Sequence, residues 1–203
     1  MPRSSKNTRR HILDSAYTLF RRKGYARANV DEIAAASGIT KRSLYAHFTS
    51  KDELLAAVMD EQFRLANASF EQFKLQETVN AEVRVQNLFD EFYQWTTKPH
   101  FAGSGFTIVA IELSDLPGHP ARAIARRHKA VIEAHFAKKL EAAGVKSARK
   151  RARELWLLVE GAGVLTVIHG DRSYIESAAD AARELLRSSA ARRSRRKLIG
   201  VKK

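Results

Sequence analysis

The sequence predicts an all-α fold of about nine helices, in which a small N-terminal head of three helices precedes a larger helical body. Apolar residues recur at the spacing of one helix face along almost the whole chain. No useful run alternates apolar and polar residues, and no Asn-Gly or Asp-Gly turn joins two such runs. The 203 residues suffice for a small domain joined to a larger one.

The first four helices carry clear start or stop signals. The apolar stripe of the first helix comprises Ile12, Leu13, Ala16, Leu19 and Phe20. Gly24 can adopt the left-handed conformation that ends a helix. The second helix opens at Asn29, which can cap it, with Glu32 in the capping-box position. The third opens at Thr40, and the fourth opens at Ser50 and is predicted to reach about residue 75.

Five further helices follow, joined by short loops. They span roughly residues 83–95, 106–113, 120–143, 147–169 and 173–190. The segments TKPHFAGSG and DLPGHP bound the second of these helices, because their Pro and Gly residues interrupt helical structure.

Positive charge is concentrated at the two ends of the chain, whose formal net charge is +14. Residues 1–60 carry 11 Lys+Arg against 6 Asp+Glu, and residues 187–203 carry 8 against none. A basic end on a nearly neutral body favours a domain that binds a polyanion. The alternative for the C-terminal end is a run of solvated charges.

Several classes of protein are disfavoured by what the sequence lacks. The chain has no cysteine, which excludes disulfides, zinc-thiolate sites, iron–sulfur clusters and a cysteine nucleophile. It has no G-x-S-x-G, no H-E-x-x-H and no Gly-rich phosphate loop. We therefore predict no enzymatic activity, no cofactor and no metal. A signal peptide and a membrane-spanning run are also missing, so we expect a cytoplasmic protein.

The third predicted helix has the composition of a recognition helix in a helix-turn-helix motif. A tight Ala-Ser-Gly-Ile-Thr turn precedes it. Small polar and cationic side chains occupy its first turn, where base edges would lie; they are Thr40, Lys41, Arg42 and Ser43. Leu44 and Phe48 are expected to pack on the head. Tyr45 and His47 flank the tip, and Lys51 lies at the start of the next helix, which attracts phosphate.

This stretch resembles the TetR/AcrR family of bacterial helix-turn-helix transcriptional regulators. The matching segment is ILDSAYTLFRRKGYARANVDEIAAASGITKRSLYAHFTSKDELL. It contains in order the Gly-Tyr turn, the VDEIA segment, the Ser-Gly-Ile turn, the LYxHF signature and the SK-acid-xL cap. One departure is Asn29, where Ser or Thr is more usual, but Asn caps equally well.

The resemblance implies a role in DNA binding for eight residues. Those expected to contact bases and phosphates in the major groove are Thr40, Lys41, Arg42 and Ser43. Those expected to hold phosphates are Asn29, Tyr45, His47 and Lys51. Arg42 is the best candidate for a guanine contact. The alternatives are that Tyr45 belongs to the core and that Lys51 is only solvated. The basic residues Arg3, Lys6, Arg9 and Arg10 form either a DNA-binding arm or a frayed terminus.

Dimerisation is expected because a head of this size reads only a few base pairs, whereas two heads read a palindrome. The eighth helix, with ELWLLVEGAGVLTVIHG, is apolar on nearly all sides. Gly161 and Gly163 each weaken a helix interior, which a close helix approach would offset. The candidate interface residues are Leu158, Gly161, Leu165, Ala178 and Leu185.

The body is also a candidate for a ligand cavity, because aromatic residues cluster along its helices and isolated polar residues interrupt its apolar runs. The candidate ligand-binding residues are Phe89, Phe92, Tyr93, Trp95, Phe106, Glu112, His128, Trp156 and Glu160. The alternative for the aromatic residues is ordinary core packing, and the alternative for Glu112 and Glu160 is an exposed or paired position. The resemblance implies that a small-molecule inducer is common, and the composition favours an apolar or aromatic one.

The sequence thus predicts a cytoplasmic, nucleoid-associated homodimeric repressor that a ligand releases from a palindromic operator in double-stranded DNA. The expected parts are a DNA-binding domain at 1–50, a ligand-binding and dimerisation domain at 51–190 and a basic, disordered tail at 191–203. Three alternatives remain: an architectural DNA-binding protein, an activator on the same fold, and a ligand-binding or catalytic protein with a vestigial head.

Overall fold

The computed structural model describes residues 5–72, 81–98 and 101–199, and in these ranges it is helical with no strand. The helices are α1 (Ser5–Lys23), α2 (Val30–Ala36), α3 (Lys41–Tyr45), α4 (Lys51–Gln72), α5 (Ala81–Thr96), α6 (Gly105–Glu112), α7 (Pro120–Ala142), α8 (Ala148–His169) and α9 (Ser173–Ile199). The prediction of an all-α fold with nine helices is confirmed for this part of the chain.

Side-chain caps begin α2, α3 and α4 where the sequence predicts them. The pairs are Asn29 Oδ1 with the Glu32 amide (2.8 Å), Thr40 Oγ1 with the Ser43 amide (3.1 Å) and Ser50 Oγ with the Glu53 amide (3.0 Å). Each cap satisfies an amide that has no partner inside its helix. The capping box of α2 is incomplete, because the Glu32 carboxylate lies 2.5 Å from the Lys23 ammonium instead.

The chain folds into two compact units. The first unit comprises Met1–Phe73 and Ser104–His128, so it contains α1 to α4, α6 and the first residues of α7. Its apolar core joins all these helices. Leu44 and Phe48 are 0% and 1% exposed, which confirms that this side of α3 packs on the head.

The second unit comprises Lys74–Gly103 and Lys129–Lys203, in which α9 packs against α5 and α8. The buried face of α9 consists of Ile175, Ala178, Ala179, Ala182 and Leu186. Across both units, no helix in the described ranges is long and apolar enough to cross a bilayer.

The structure differs from the sequence prediction at both ends. Helix α9 continues to Ile199, so the backbone of 191–199 is helical where we predict a disordered tail. The reason is local, because Ala, Arg, Lys and Leu in this segment favour helix. At the other end α1 begins at Ser5, so Lys6, Arg9 and Arg10 belong to a helix rather than to an arm or a frayed terminus.

Three predicted features lie outside the described residues. They are Arg3, the predicted end of the fourth helix near residue 75, and the last residues of the tail, 200–203.

A valine at Gly163 is expected to lower the stability of the second unit. A Cβ at this position would lie 3.1 Å from Cζ of Phe92, whose ring is buried between helices. We expect Gly163→Val to cost about 1–3 kcal/mol of unfolding free energy. Gly118→Val is the control, because a Cβ there also meets no described atom within 4 Å and the residue lies outside α8. Equal losses in two denaturant titrations would contradict this explanation.

Candidate nucleic-acid interface

The first turn of α3 presents polar and cationic side chains to solvent above an apolar base. Thr40, Lys41 and Arg42 are exposed and Ser43 is half-buried, whereas Leu44 behind them is fully buried. The Thr40 cap fixes this turn through the Ser43 amide. The turn therefore offers two cations and two hydroxyls on one rigid surface, which suits contact with base edges and phosphates.

The two cations of this turn have different surroundings. The Lys41 ammonium lies 2.9 Å from Oδ2 of Asp31 on α2, and this carboxylate raises the pKa of Lys41. Arg42 forms no ion pair in the described part of the chain, so its guanidinium is open to an incoming acceptor. Of the two, Arg42 is the cation that no described carboxylate pairs with, and its contact with bases stays a prediction.

The predicted phosphate contacts also lie at the surface. Tyr45 is 43% exposed, which argues against its assignment to the core. Asn29 is exposed and His47 is half-buried. Lys51 is more than a solvated charge, because its ammonium lies 4.3 Å from the centroid of the Tyr25 ring. These positions are compatible with phosphate binding, and the contacts themselves stay predictions.

The turn between α1 and α2 is held by a residue that is distant in the sequence. Gly24 has φ of +82°, which places the chain in the left-handed region expected at the end of α1. The following amides of Tyr25 and Ala26 donate to Glu112 at the end of α6, at 2.9 Å and 2.7 Å. Glu112 thus fixes the turn between α1 and α2, whereas the sequence suggests a ligand-binding role for it.

Tyr25 connects this turn to the start of α4. Its hydroxyl donates a hydrogen bond to Oδ1 of Asp52. Burial, and then this hydrogen bond, raise the pKa of Tyr25 above its ordinary value, so the phenol stays protonated. The imidazole of His119 is buried and its Nε2 lies 3.7 Å from Oδ2 of Asp52. The sequence pattern does not single out Tyr25, Asp52 or His119 as functional residues, although Tyr25 belongs to the Gly-Tyr turn.

The predicted ligand-binding residues fall into both units. Phe106, Glu112 and His128 belong to the first unit, and the other six belong to the second. In the first unit the rings of Phe106 and His128 stack at 3.7 Å, and Phe63 meets His128 edge-on at 5.7 Å. Both stacked rings are buried, which agrees with the core-packing alternative for Phe106.

In the second unit, several predicted ligand residues contact one another or their neighbours. Phe92 packs against Gly163, and the exposed Trp95 meets Phe101 edge-on at 4.9 Å. The Trp156 ring contacts two neighbours. Its centroid lies 5.7 Å from that of the Phe136 ring and 5.2 Å from the Lys129 ammonium.

Glu160 forms an ion pair with a lysine of the same unit. Its carboxylate lies 2.6 Å from the Lys129 ammonium. Burial lowers the pKa of Lys129, and the Glu160 carboxylate opposes that shift. A ligand that binds Glu160 would therefore compete with this ion pair.

Phe89 and Tyr93 line a cavity of about 310 Å³ between α5 and α9. The lining residues are Gln86, Phe89, Asp90, Tyr93, Ile175, Glu176, Ala179, Asp180 and Arg183. Phe89, Ile175 and Ala179 are buried and apolar, whereas Asp90, Glu176 and Asp180 are exposed carboxylates. Asp180 is paired with Arg183. The cavity combines an apolar floor with a mainly acidic rim.

An exposed apolar stripe runs along α8, and we call it the α8 stripe. It consists of Leu157, Gly161, Val164, Leu165 and Ile168, which share one helix face. Leu157 and Ile168 are 67% and 65% exposed. Of the predicted interface residues, Gly161 and Leu165 belong to this stripe and Leu158 is half-buried beside it. The sequence pattern does not single out Leu157, Val164 and Ile168, because a helix that is apolar on nearly all sides does not show which face stays exposed.

The two interface residues predicted on α9 differ in burial, and a role of this helix in an interface stays a prediction. Ala178 is 7% exposed and lies on the face of α9 that packs within its own unit, so it offers little surface to a partner. Leu185 is half-buried. The apolar spacing of α9 is thus explained by its contacts with α5 and α8.

Comparison with known proteins adds a separate observation. A family model described as bacterial regulatory proteins of the tetR family matches residues 12–58. The A-factor receptor protein of Streptomyces griseus is 43% identical over 65 residues, which are 32% of this chain and 23% of that protein. The chain matches only about a quarter to a third of the length of the first such curated relatives.

Solved structures match over nearly the whole chain. A protein of Streptomyces avermitilis, named as a TetR transcriptional regulator, is 30% identical with a TM-score of 0.73. That match covers 86% of this chain and 97% of the other. A TetR-family transcriptional regulator of Streptomyces coelicolor has a TM-score of 0.81 over 91% and 96% of the two chains. It is 23% identical, so this second likeness concerns the fold alone.

Proposed function

The chain belongs to the TetR family of bacterial transcriptional regulators, and from that premise we propose that it is a dimeric repressor. In this proposal each dimer binds a palindromic DNA operator, and a small apolar or aromatic molecule releases it. The observation that carries the proposal is the first turn of α3, where exposed Lys41 and Arg42 stand on the buried Leu44. A rigid cationic turn of this kind can enter the major groove.

The α8 stripe supports the dimeric part of the proposal. Five neighbouring positions on one helix face carry apolar or glycine residues that the chain itself leaves exposed. Gly161 lies within the stripe, and a Cβ there would meet no described atom of the same chain. A second copy that packs its own stripe here would bury this surface and could approach closely at Gly161.

The cavity between α5 and α9 supports the ligand-responsive part of the proposal. Its floor contains Phe89, one of the predicted ligand residues, and its volume of about 310 Å³ suits a small molecule. Its rim carries Asp90, Glu176 and Asp180 against one guanidinium, which favours an apolar ligand with a positive group. Release from DNA follows only if the ligand binds the two states of the protein with different affinity.

The test of operator binding is fluorescence anisotropy with the intergenic DNA beside the gene for this protein. The full chain is titrated at two salt concentrations with excess non-specific competitor DNA. Tight binding that resists the competitor is the expected result, and a search for ligands that abolish it would follow. Binding that the competitor removes at both salt concentrations would contradict a specific site in that DNA.

A second candidate function is architectural, non-specific DNA binding, and the charge distribution favours it. Residues 187–203 carry 8 Lys+Arg and no Asp or Glu, and phosphate contacts without base contacts bind all sequences alike. A chain that ends at Ala190 separates the two functions. The deletion removes seven of the eight Lys+Arg residues and leaves Arg187. A specific repressor keeps its preference for the operator without these seven charges, whereas an architectural protein loses most of its affinity.

The acidic rim of the cavity gives a prediction about ligand charge. Benzyltrimethylammonium is expected to bind more tightly than neopentylbenzene, which has the same shape without the charge. Glu176→Gln should lower the affinity for the cation by about two- to fivefold, which is the effect of one exposed ion pair. The affinity for the neutral molecule should not change. Titration calorimetry without DNA measures both. Equal affinities for the two probes would exclude a role for the rim carboxylates.

A further inference from the structure

We propose that Glu112 is a positioning residue for DNA binding, because its carboxylate fixes the turn that holds Lys51 at the interface. Glu112 lies at the end of α6, far in sequence from the helix-turn-helix motif. The inference rests on the proposed phosphate contact of Lys51, and it assigns to Glu112 an effect on DNA affinity without contact with DNA.

The first step is the contact between Glu112 and the turn. Its Oε2 accepts a hydrogen bond from the Tyr25 amide at 2.9 Å, and its Oε1 accepts one from the Ala26 amide at 2.7 Å. Hydrogen bonds from amides to an ionised carboxylate are stronger than neutral ones. The turn follows Gly24 with its positive φ, and Glu112 lies directly over that residue, 3.3 Å from where a Cβ would be.

The second step is the contact between the same turn and Lys51. The Lys51 ammonium donates to the carbonyl oxygen of Ala26 at 3.3 Å and lies 4.3 Å from the centroid of the Tyr25 ring. Glu112 and Lys51 thus contact the same two residues through different groups. Glu112 binds their amides, whereas Lys51 contacts the carbonyl of Ala26 and the ring of Tyr25. A free lysine side chain samples many rotamers, so a lysine that is held in place loses less entropy when it binds phosphate.

The charge of Glu112 acts in the same direction. Burial lowers the pKa of Lys51, and the carboxylates of Glu112 and Asp52 oppose that shift. Removal of Glu112 would therefore loosen the turn and also remove a charge that favours the ammonium form of Lys51.

A double-mutant cycle tests this inference, with the full chain and an operator fragment at several salt concentrations. Lys51→Ala is expected to lower affinity by about tenfold for each head, as for one hydrogen bond to a charged group. It should also reduce the slope of log K against log salt by about one per head. Glu112→Ala should lower affinity and slope in the same direction. In the Lys51→Ala background, Glu112→Ala should have little further effect, because both variants remove the same contact.

Two further variants separate positioning from a loss of folding. Asp60→Ala is the matched control, because Asp60 pairs with Arg127 at 2.5 Å in the same unit but does not touch the turn. It should leave the salt slope unchanged. Glu112→Gln keeps one acceptor oxygen and should give an intermediate slope. It replaces the alanine variant if thermal unfolding shows that Glu112→Ala does not fold.

The outcomes distinguish this inference from the proposal beneath it. Additive losses of affinity in the cycle, or a full salt slope in Glu112→Ala, would overturn the positioning role and leave the Lys51 contact intact. An unchanged affinity and slope in Lys51→Ala would overturn the phosphate contact and the positioning role together. Specific operator binding by Lys51→Ala would show that the proposed function stands without either.

Discussion

Ile168→Asp is expected to dissociate the protein into monomers and to weaken operator binding about a hundredfold or more. Ile168 is 65% exposed in the α8 stripe, so the substitution leaves the fold of the single chain largely unaffected. In an interface with two-fold symmetry the change occurs twice, and each copy would bury an uncompensated carboxylate. Monomers hold one head each and cannot bind both halves of a palindrome together.

Light scattering after size-exclusion chromatography measures the mass of the variant, and anisotropy measures its affinity for the operator. Ile111→Asp is the matched control, because Ile111 is 64% exposed but lies on α6, outside the α8 stripe. We expect this control to remain dimeric. A dimeric Ile168→Asp variant with unchanged operator affinity would exclude the stripe as the interface.

Arg42→Ala is expected to remove most of the preference for the operator while leaving non-specific affinity. A bidentate pair between arginine and guanine contributes about 1–3 kcal/mol of discrimination, and a dimer makes the contact twice. Arg42 suits this role, because it lies exposed in the first turn of α3 without a carboxylate partner among the described residues. Competition between operator and scrambled DNA measures the loss.

Two other variants make this prediction more specific. Arg42→Lys keeps the charge but cannot form the planar bidentate pair, so it should keep the salt dependence and lose discrimination. Arg22→Ala removes an exposed arginine of the same head outside α3 and should keep discrimination. If Arg42→Ala prefers the operator as strongly as the unmodified chain does, Arg42 does not read bases.

The sequence predicts those parts of the fold that depend on residues close together in the chain. Asn29, Thr40 and Ser50 cap helices through amides three residues away, so the pattern alone locates these starts. Leu44 follows in the same way from helical periodicity. The stop after α1 follows from Gly24, whose positive φ few other residues adopt.

Contacts between residues that are distant in the chain do not follow from such local patterns. Glu112 is separated from Ala26 by 86 residues, and nothing in its own segment indicates an acceptor for backbone amides. When a helix has two apolar faces, its apolar periodicity does not show which face packs within the same chain. For this reason the apolar spacing favours Ala178 as an interface residue although it is buried within its unit, and it does not single out Ile168.

The pairing of Lys41 with Asp31 has a consequence for the ionic-strength dependence of binding. The ammonium and carboxylate lie 2.9 Å apart, so Lys41 carries an internal counterion before any DNA arrives. A phosphate that binds Lys41 must displace this carboxylate, and the unpaired carboxylate then retains beside the DNA a cation that would otherwise be released. The number of cations in the first turn of α3 therefore overestimates the slope of log K against log salt for the complex with DNA.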